Sequence, residues 1–434
     1  MSSAKKIGLF ACTGVVAGNM MGSGIALLPA NLASIGGIAI WGWIISIIGA
    51  MSLAYVYARL ATKNPQQGGP IAYAGEISPA FGFQTGVLYY HANWIGNLAI
   101  GITAVSYLST FFPVLNDPVP AGIACIAIVW VFTFVNMLGG TWVSRLTTIG
   151  LVLVLIPVVM TAIVGWHWFD AATYAANWNT ADTTDGHAII KSILLCLWAF
   201  VGVESAAVST GMVKNPKRTV PLATMLGTGL AGIVYIAATQ VLSGMYPSAI
   251  SASTILGNWA APLVSAFTAF ACLTSLGSWM MLVGQAGVRA ANDGNFPKVY
   301  GEVDSNGIPK KGLLLAAVKM TALMILITLM NSAGGKASDL FGELTGIAVL
   351  LTMLPYFYSC VDLIRFEGVN IRNFVSLICS VLGCVFCFIA LMGASSFELA
   401  GTFIVSLIIL MFYARKMHER QSHSMDNHTA SNAH

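Results

Sequence analysis

The chain has 434 residues, 57% of them hydrophobic and only 8% charged, with a net charge of +4 and a mean hydropathy of +0.80. A soluble domain keeps roughly 25% of its residues charged to stay hydrated, so this composition excludes an ordinary soluble fold. So small a charge excess gives no sign of nucleic-acid binding, and the 44 glycines suit helices that approach one another closely in a bilayer.

A membrane-spanning helix needs roughly 20 apolar residues. Met1 to Lys6 is short and basic, and the apolar stretch after it is too long for a cleaved leader, so it is read as a retained first span. Apolar windows follow at 7–33, 38–60, 82–112, 121–139, 147–168, 188–212, 220–245, 258–288, 312–332, 338–363, 373–394 and 398–414. They predict an all-α polytopic membrane protein of about twelve transmembrane helices. The first, third and eighth windows are long enough to be tilted, broken or extended beyond the bilayer. The tail after Lys416 is polar and carries scattered histidines, which reads as a disordered terminus.

Loop charges set the orientation. With twelve spans, Lys5, Lys6, Arg59, Lys63, Arg145, Lys214, Lys217, Arg218, Arg289, Lys298, Lys310, Lys311, Arg365, Arg372, Arg415, Lys416 and Arg420 share the side of the termini, and Lys336 falls opposite. The positive-inside rule then puts both termini in the cytoplasm. All eight cysteines lie in apolar segments, and Cys384-x-x-Cys387 has no second pair, so they read as packing thiols rather than disulfides or a metal site.

Two windows are interrupted at matching places. The first carries Gly18-Asn-Met-Met-Gly-Ser-Gly24 in its middle; the sixth carries Trp198-Ala-Phe-Val-Gly-Val-Glu-Ser205. Irregular backbone at membrane depth is tolerated only where protein or a water-filled cavity receives it. Broken helices at corresponding positions of two five-span units point to a transporter whose substrate lies between them. The helix start near Gly22, Ser23 and Gly24 offers N–H groups and a positive dipole end to a carboxylate. Carbonyls near Met20 and Val201 suit an ammonium. Tight glycine packing is the competing explanation. Glu204 is a carboxylate in mid-membrane, which is costly and therefore a functional candidate.

Gly-Ser-Gly followed by Leu-Leu-Pro-Ala, Trp94-Ile-Gly-Asn97, the Trp198–Ser205 run and Lys214-Asn-Pro-Lys-Arg218 resemble the amino acid–polyamine–organocation (APC) superfamily. Within it the chain is similar, over about 7–415, to the basic amino acid/polyamine antiporters of bacterial acid resistance, and most to members that exchange lysine for cadaverine. The resemblance implies a LeuT-like 5+5 inverted repeat over 7–168 and 188–363, with spans 1 and 6 broken. Two extra helices follow over 373–414, between a cytoplasmic start at 1–6 and a cytoplasmic tail at 415–434. It implies that Glu204 senses protons and couples pH to transport. Trp279 would stack on the cationic tail of the substrate, Trp198 would form cavity wall and gate, and Asn97 would offer its amide oxygen to a cation. Asn93 replaces a smaller thiol of the arginine-transporting member and makes the far end of the pocket more polar. Tyr73, Tyr89, Tyr90, Tyr235 and Tyr356 are gate or cavity aromatics, and Asp293 is a site admitting cations at the cytoplasmic mouth. Pro70 and Ile71 depart from the family's serine and aromatic at the inner gate. The segment after Gly244-Met-Tyr-Pro-Ser248 is about ten residues shorter than in relatives.

The implied activity is exchange of external lysine for internal cadaverine across the bacterial inner membrane, supporting acid resistance together with a cytoplasmic lysine decarboxylase. Homodimerisation is a further implication. Arginine/agmatine exchange, ornithine/putrescine exchange and proton-coupled amino acid uptake are the alternatives. No enzyme motif is present, and no cofactor, metal or nucleic acid is expected.

Overall fold

The computed structural model describes residues 6–22, 28–245, 260–332, 337–392 and 394–431; within these, some helix side chains, that of Trp198 among them, lie outside the description. Ser23, Gly24 and the segment following Ser248 lie outside the described residues.

Nearly every described element is a helix. In chain order they are α1 (Leu9–Met21), α2 (Leu28–Ala33), α3 (Ala39–Lys63), α4 (Pro70–Ile77), α5 (Pro79–Leu108), α6 (Pro118–Met137), α7 (Gly140–Val164) and α8 (Ala171–Ala176). Then come α9 (Asp185–Trp198), α10 (Ser205–Val208), α11 (Pro216–Gly244), α12 (Ala260–Asn292), α13 (Lys310–Ser332), α14 (Ala337–Glu367), α15 (Phe374–Met392) and α16 (Ser396–Ser431). The exception is a parallel bridge between Ile7 and Val213. Among the described residues, nine helices are long and apolar enough to cross a membrane. Polar residues in mid-helix explain why α5 is not one of them: Tyr89, Tyr90, His91, Asn93 and Asn97 lower its hydropathy, and all but His91 are buried.

Prolines and glycines set the boundaries. Pro70, Pro79, Pro118 and Pro216 each stand at a helix start, where the missing N–H costs nothing. Pro70 therefore opens α4, and the buried Tyr73 sits in this short helix, which lies between the apolar windows 38–60 and 82–112. The expected disordered tail also differs, because the α16 backbone stays helical to Ser431. No glycine or proline stands between Thr402 and Ser431 to stop it.

The two interruptions fall where small residues predicted them. α1 ends at Met21 with Gly22 in a turn after it, and past the undescribed residues 23–27 the chain is described again as helix from Leu28. α9 ends at Trp198, residues 199–204 form turns, and α10 begins at Ser205. Gly202 has φ +110°, in the left-handed region that favours glycine.

Helix pairings repeat when the two halves of the chain are exchanged. α3 packs on α11, α5 on α12 and α6 on α13; α1 lies on α11 as α9 lies on α3, and α7 lies on α12 as α5 lies on α14. α15 packs against α3 and α14, and α16 against α14 and α5. Small residues allow these approaches. A Cβ on Gly18 would stand 2.6 Å from the Thr147 methyl on α7, and one on Gly49 would stand 2.3–2.6 Å from three Phe386 carbons on α15. Gly49→Ala should therefore overpack the α3–α15 contact and cost about 1–3 kcal/mol, seen as a lower melting temperature in detergent. Gly229→Ala, where a Cβ meets nothing within 4 Å, is the control; equal melting of the two variants would sink the packing argument.

Candidate functional site

Glu204 ends the turn between α9 and α10 and is 1% exposed. The Tyr89 hydroxyl of α5 donates to its Oε1 at 2.6 Å, and the Tyr356 hydroxyl of α14 donates to its Oε2 at 2.5 Å. Tyr356 oxygen in turn accepts from the Gly202 N–H at 3.3 Å. Charge-assisted bonds of this kind are among the strongest available, yet none of the ion pairs among the described residues includes Glu204. The carboxylate is thus solvated by two phenols and left without a fixed counter-charge. Behind it, Tyr57 meets Tyr356 edge-on at 6.0 Å and Tyr73 at 6.3 Å, forming an aromatic column toward α4.

A cavity of about 40 Å³ lies beside this turn, lined by Asn19, Met20, Ala92, Asn93, Gly96, Ile100, Val201, Trp279, Val349 and Thr352. Residues 92, 93, 96 and 100 form one face of α5. As it stands the space suits water more than an extended amino acid, so a larger solute enters only if the lining moves. Its polar groups are underused. Asn19 Oδ1 and Asn93 Nδ2 meet no hydrogen-bond partner, and one turn along α5 both amide atoms of Asn97 are buried and unpartnered. Buried polar groups are normally satisfied, so these amides mark where a polar solute or ordered water completes the structure. Trp279 supplies an indole, and Ile100, Val201 and Val349 supply aliphatic wall. That combination can hold a slender cation with an alkyl chain.

The carbonyls at the end of α1 are not all left for a ligand. Trp279 Nε1 donates to the Asn19 carbonyl at 3.3 Å, the Tyr235 hydroxyl to the Met20 carbonyl at 3.1 Å, and Cys272 Sγ to the Gly22 carbonyl at 3.5 Å. The Met20 carbonyl expected to meet an ammonium thus already has a donor, because a helix end buried in protein must satisfy its last acceptors locally. Asn19 Nδ2 donates to Ser205 Oγ at 2.8 Å, and Ser205 Oγ donates to the Gly202 carbonyl at 2.6 Å, which ties the two interrupted segments together.

The structure therefore gathers Gly22, Asn93, Val201, Glu204, Tyr89, Tyr356 and Trp279 around one region, with Asn97 and Tyr235 beside it. Ser23 and Gly24 lie outside the described residues, as does the side chain of Trp198. Tyr90 is not brought to the cavity; it packs on Phe296 and Tyr300 at 5.0 and 5.6 Å, on the far side of α5. Asp293 is paired with Arg289 at 2.9 Å, one turn earlier on α12, and is not an isolated anion at the mouth. Asn19, Ser205 and Thr352 escaped the sequence reading, although Asn19 was visible as a lone amide in an apolar window. Lys319 was overlooked too: it lies inside α13 with its ammonium 4.7 Å from the Tyr90 ring centroid and 5.3 Å from that of Tyr300.

Removing one phenol should expose how much Glu204 depends on both. Tyr89→Phe or Tyr356→Phe leaves a carboxylate oxygen buried without its donor, at a cost of about 1–3 kcal/mol. Thermal melting in detergent measures it, and unchanged melting in both variants would show that the two bonds contribute nothing.

Comparison with known proteins places this geometry. Residues 7–414 match the model of a family described as amino acid permease. The chain is 98% identical over 444 aligned positions, covering all of both chains, to a cadaverine/lysine antiporter of Escherichia coli strain K12. That alignment is ten positions longer than the 434 residues here, a difference of the size expected after Ser248. A putrescine transporter of the same strain is 32% identical over 420 residues, covering 90% of this chain and 92% of the relative. Among solved structures, a manganese transporter of Eremococcus coleocola superposes with a TM-score of 0.59 at 14% identity, covering 93% of this chain and 92% of that one. A Na⁺-coupled sialic acid symporter gives 0.56 at 16%, covering 93% and 90%. These two share the fold and carry no information on substrate. With its helical architecture common to transporters and its sequence matched over nearly its whole length, the chain belongs to the amino acid permease family.

Proposed function

We propose that the chain is an antiporter of the bacterial inner membrane that takes up lysine and releases cadaverine by alternating access. The observation that carries this reading is the near-identity, over both full lengths, to a protein named cadaverine/lysine antiporter. The cavity supports it chemically: amide groups without partners, an indole and an aliphatic wall suit a primary ammonium on an alkyl chain. In this reading Trp279 faces the cationic end and Asn93 and Asn97 complete its hydrogen bonds. Val201 and Gly22 bound the site, with Ser23 and Gly24 receiving the lysine carboxylate. Trp198, Tyr73, Tyr89, Tyr235 and Tyr356 act as wall and gate. Glu204 carries the proton sensitivity, since its buried carboxylate touches both the α9–α10 turn and two other helices.

About twelve spans follow if α1/α2 and α9/α10 each count as one interrupted span and α5 as another. The repeated helix pairings support a 5+5 inverted repeat with two added helices. The basic loops support cytoplasmic termini. Lysine carries one net positive charge and cadaverine two, so each cycle exports one positive charge at about 2.3 kcal/mol per 100 mV of inside-negative potential. Opposing gradients maintained by a cytoplasmic decarboxylase, which consumes a proton per turnover, would supply that energy and raise cytoplasmic pH.

Labelled lysine uptake into proteoliposomes tests the reading. Uptake should require cadaverine inside; equal uptake into empty vesicles would replace exchange with uniport or proton-coupled transport. Trp279→Ala should raise the KM for both substrates roughly two- to thirtyfold, the range of a cation–π contact; an unchanged KM would make the indole a packing residue. Glu204→Gln should flatten the pH profile of exchange between about pH 5.5 and 7.5, and a profile as steep as that of the unaltered protein would remove Glu204 from proton coupling.

A further inference from the structure

The end of the molecule that carries Lys6 holds a second, larger cavity, lined by none of the residues assigned above to the substrate site. It measures about 480 Å³, and its lining includes Lys6, Gln67, Trp142, Arg145, Gln285 and Asn306. Lys6 is held at its rim by the neighbouring bridge, in which the Ile7 N–H donates to the Met212 carbonyl at 2.9 Å and the Lys214 N–H to the Ile7 carbonyl at 2.8 Å. Arg145 comes from α7, roughly 8 Å from the start of that helix at 1.5 Å per residue. The first turn of α7 also opens on the cavity through Gly139 and Gly140, and Gly139 brings no side chain to cap it.

This constellation is positive and uncompensated. Neither Lys6 nor Arg145 has an ion pair among the described residues. The acid of the adjoining loop, Asp304, is engaged by Lys310 at 3.0 Å and by the N–H groups of Asn306 and Ile308 at 2.9 and 3.0 Å. Gln285, deep in the wall, has its amide oxygen taken by the Gln67 side chain, which leaves only its amide nitrogen for the cavity. The charged side chains that line the space are thus both cations, Lys6 and Arg145.

The face of α7 on which Arg145 stands says which anion. The exposed apolar residues of that helix are Trp142, Ile149, Val152, Ile156, Met160 and Ile163. Steps of three and four residues from Ile149 on, and of seven from Trp142 to Ile149, trace one stripe, and such a stripe on a membrane helix faces lipid. Arg145, itself exposed, fills the step between Trp142 and Ile149 in that stripe. At the cytoplasmic end of such a stripe a guanidinium stands at headgroup level, where an anion of the bilayer can pair with it. Leu138, 67% exposed, extends the apolar rim beside it.

We propose that this cavity binds an anionic phospholipid. The phosphate sits between the Arg145 guanidinium, the Lys6 ammonium and the first turn of α7, and the acyl chains run down the α7 stripe. The Gln67–Gln285 bond at the inner wall ties the α3–α4 turn to α12, so the lipid braces the end of the molecule where both helices and the N-terminal segment meet.

Native mass spectrometry of the full-length protein in detergent tests this, with phosphatidylglycerol, phosphatidylcholine and glycerol 3-phosphate as probes. Phosphatidylglycerol should be retained over phosphatidylcholine, and Arg145→Gln and Lys6→Gln should each lower its retention about fivefold, the weight of one cation at an anionic surface. Arg145→Lys should keep most of it, and Lys311→Gln, at a cation paired with Glu302 elsewhere, should change nothing. Equal retention of the two lipids, or full retention by both Arg145→Gln and Lys6→Gln, overturns the proposal. Displacement of phosphatidylglycerol by glycerol 3-phosphate at equal concentration also overturns it, because the site would then belong to a soluble anion.

Discussion

A carboxylate buried among helices has to be solvated by the protein, and at Glu204 two tyrosine hydroxyls do it. Tyr89 comes from α5 and Tyr356 from α14, so satisfying one acid fixes the distance between two long helices and the turn at 199–204. The turn exists because Gly202 takes a backbone conformation that other residues rarely adopt. The same turn presents Val201 to the cavity and the Gly202 N–H to Tyr356. Charge, backbone break and cavity are therefore one arrangement. A change in the charge of Glu204 would be felt at once by elements from both halves of the chain.

The second interrupted segment is tied to the first through side chains. Asn19 reaches Ser205, and Trp279 and Tyr235 donate to carbonyls at the end of α1. These bonds replace the intrahelical partners that the break removes. They also explain why the cavity is small: groups that would meet a solute are partly meeting one another. Admission of a lysine-sized molecule then requires exchanging protein–protein contacts for protein–solute contacts, which is the kind of trade that alternating access needs.

Legibility of the site in the sequence varied with chemistry. Glu204 stood out because a lone acid in an apolar run is costly, and Trp279 because of the motif around it. Tyr89 and Tyr90 could not be told apart, since adjacent helix positions point in directions about 100° apart and only the packing of α5 decides which meets Glu204. Tyr90 instead turns to Phe296, Tyr300 and the Lys319 ammonium. Lys319 was passed over because loop charges, not span charges, carry the orientation signal. Asp293 read as a site admitting cations, although Arg289 four residues before it is its natural partner on a helix.

The sequence by itself determined that the chain is helical and membrane-embedded, roughly where its long apolar helices lie, and that two of them break at points of small residues. Those features depend on local composition: apolar length for spanning, proline and glycine for boundaries, and the cost of exposed backbone in hydrocarbon. Tertiary structure alone decided which polar groups meet. The bonds from Tyr89 and Tyr356 to Glu204 join residues 115 and 152 positions apart, and the unpartnered Asn19 and Asn93 share one cavity only because α1 and α5 converge there. Such pairings depend on which helix faces pack together, and no local pattern encodes that.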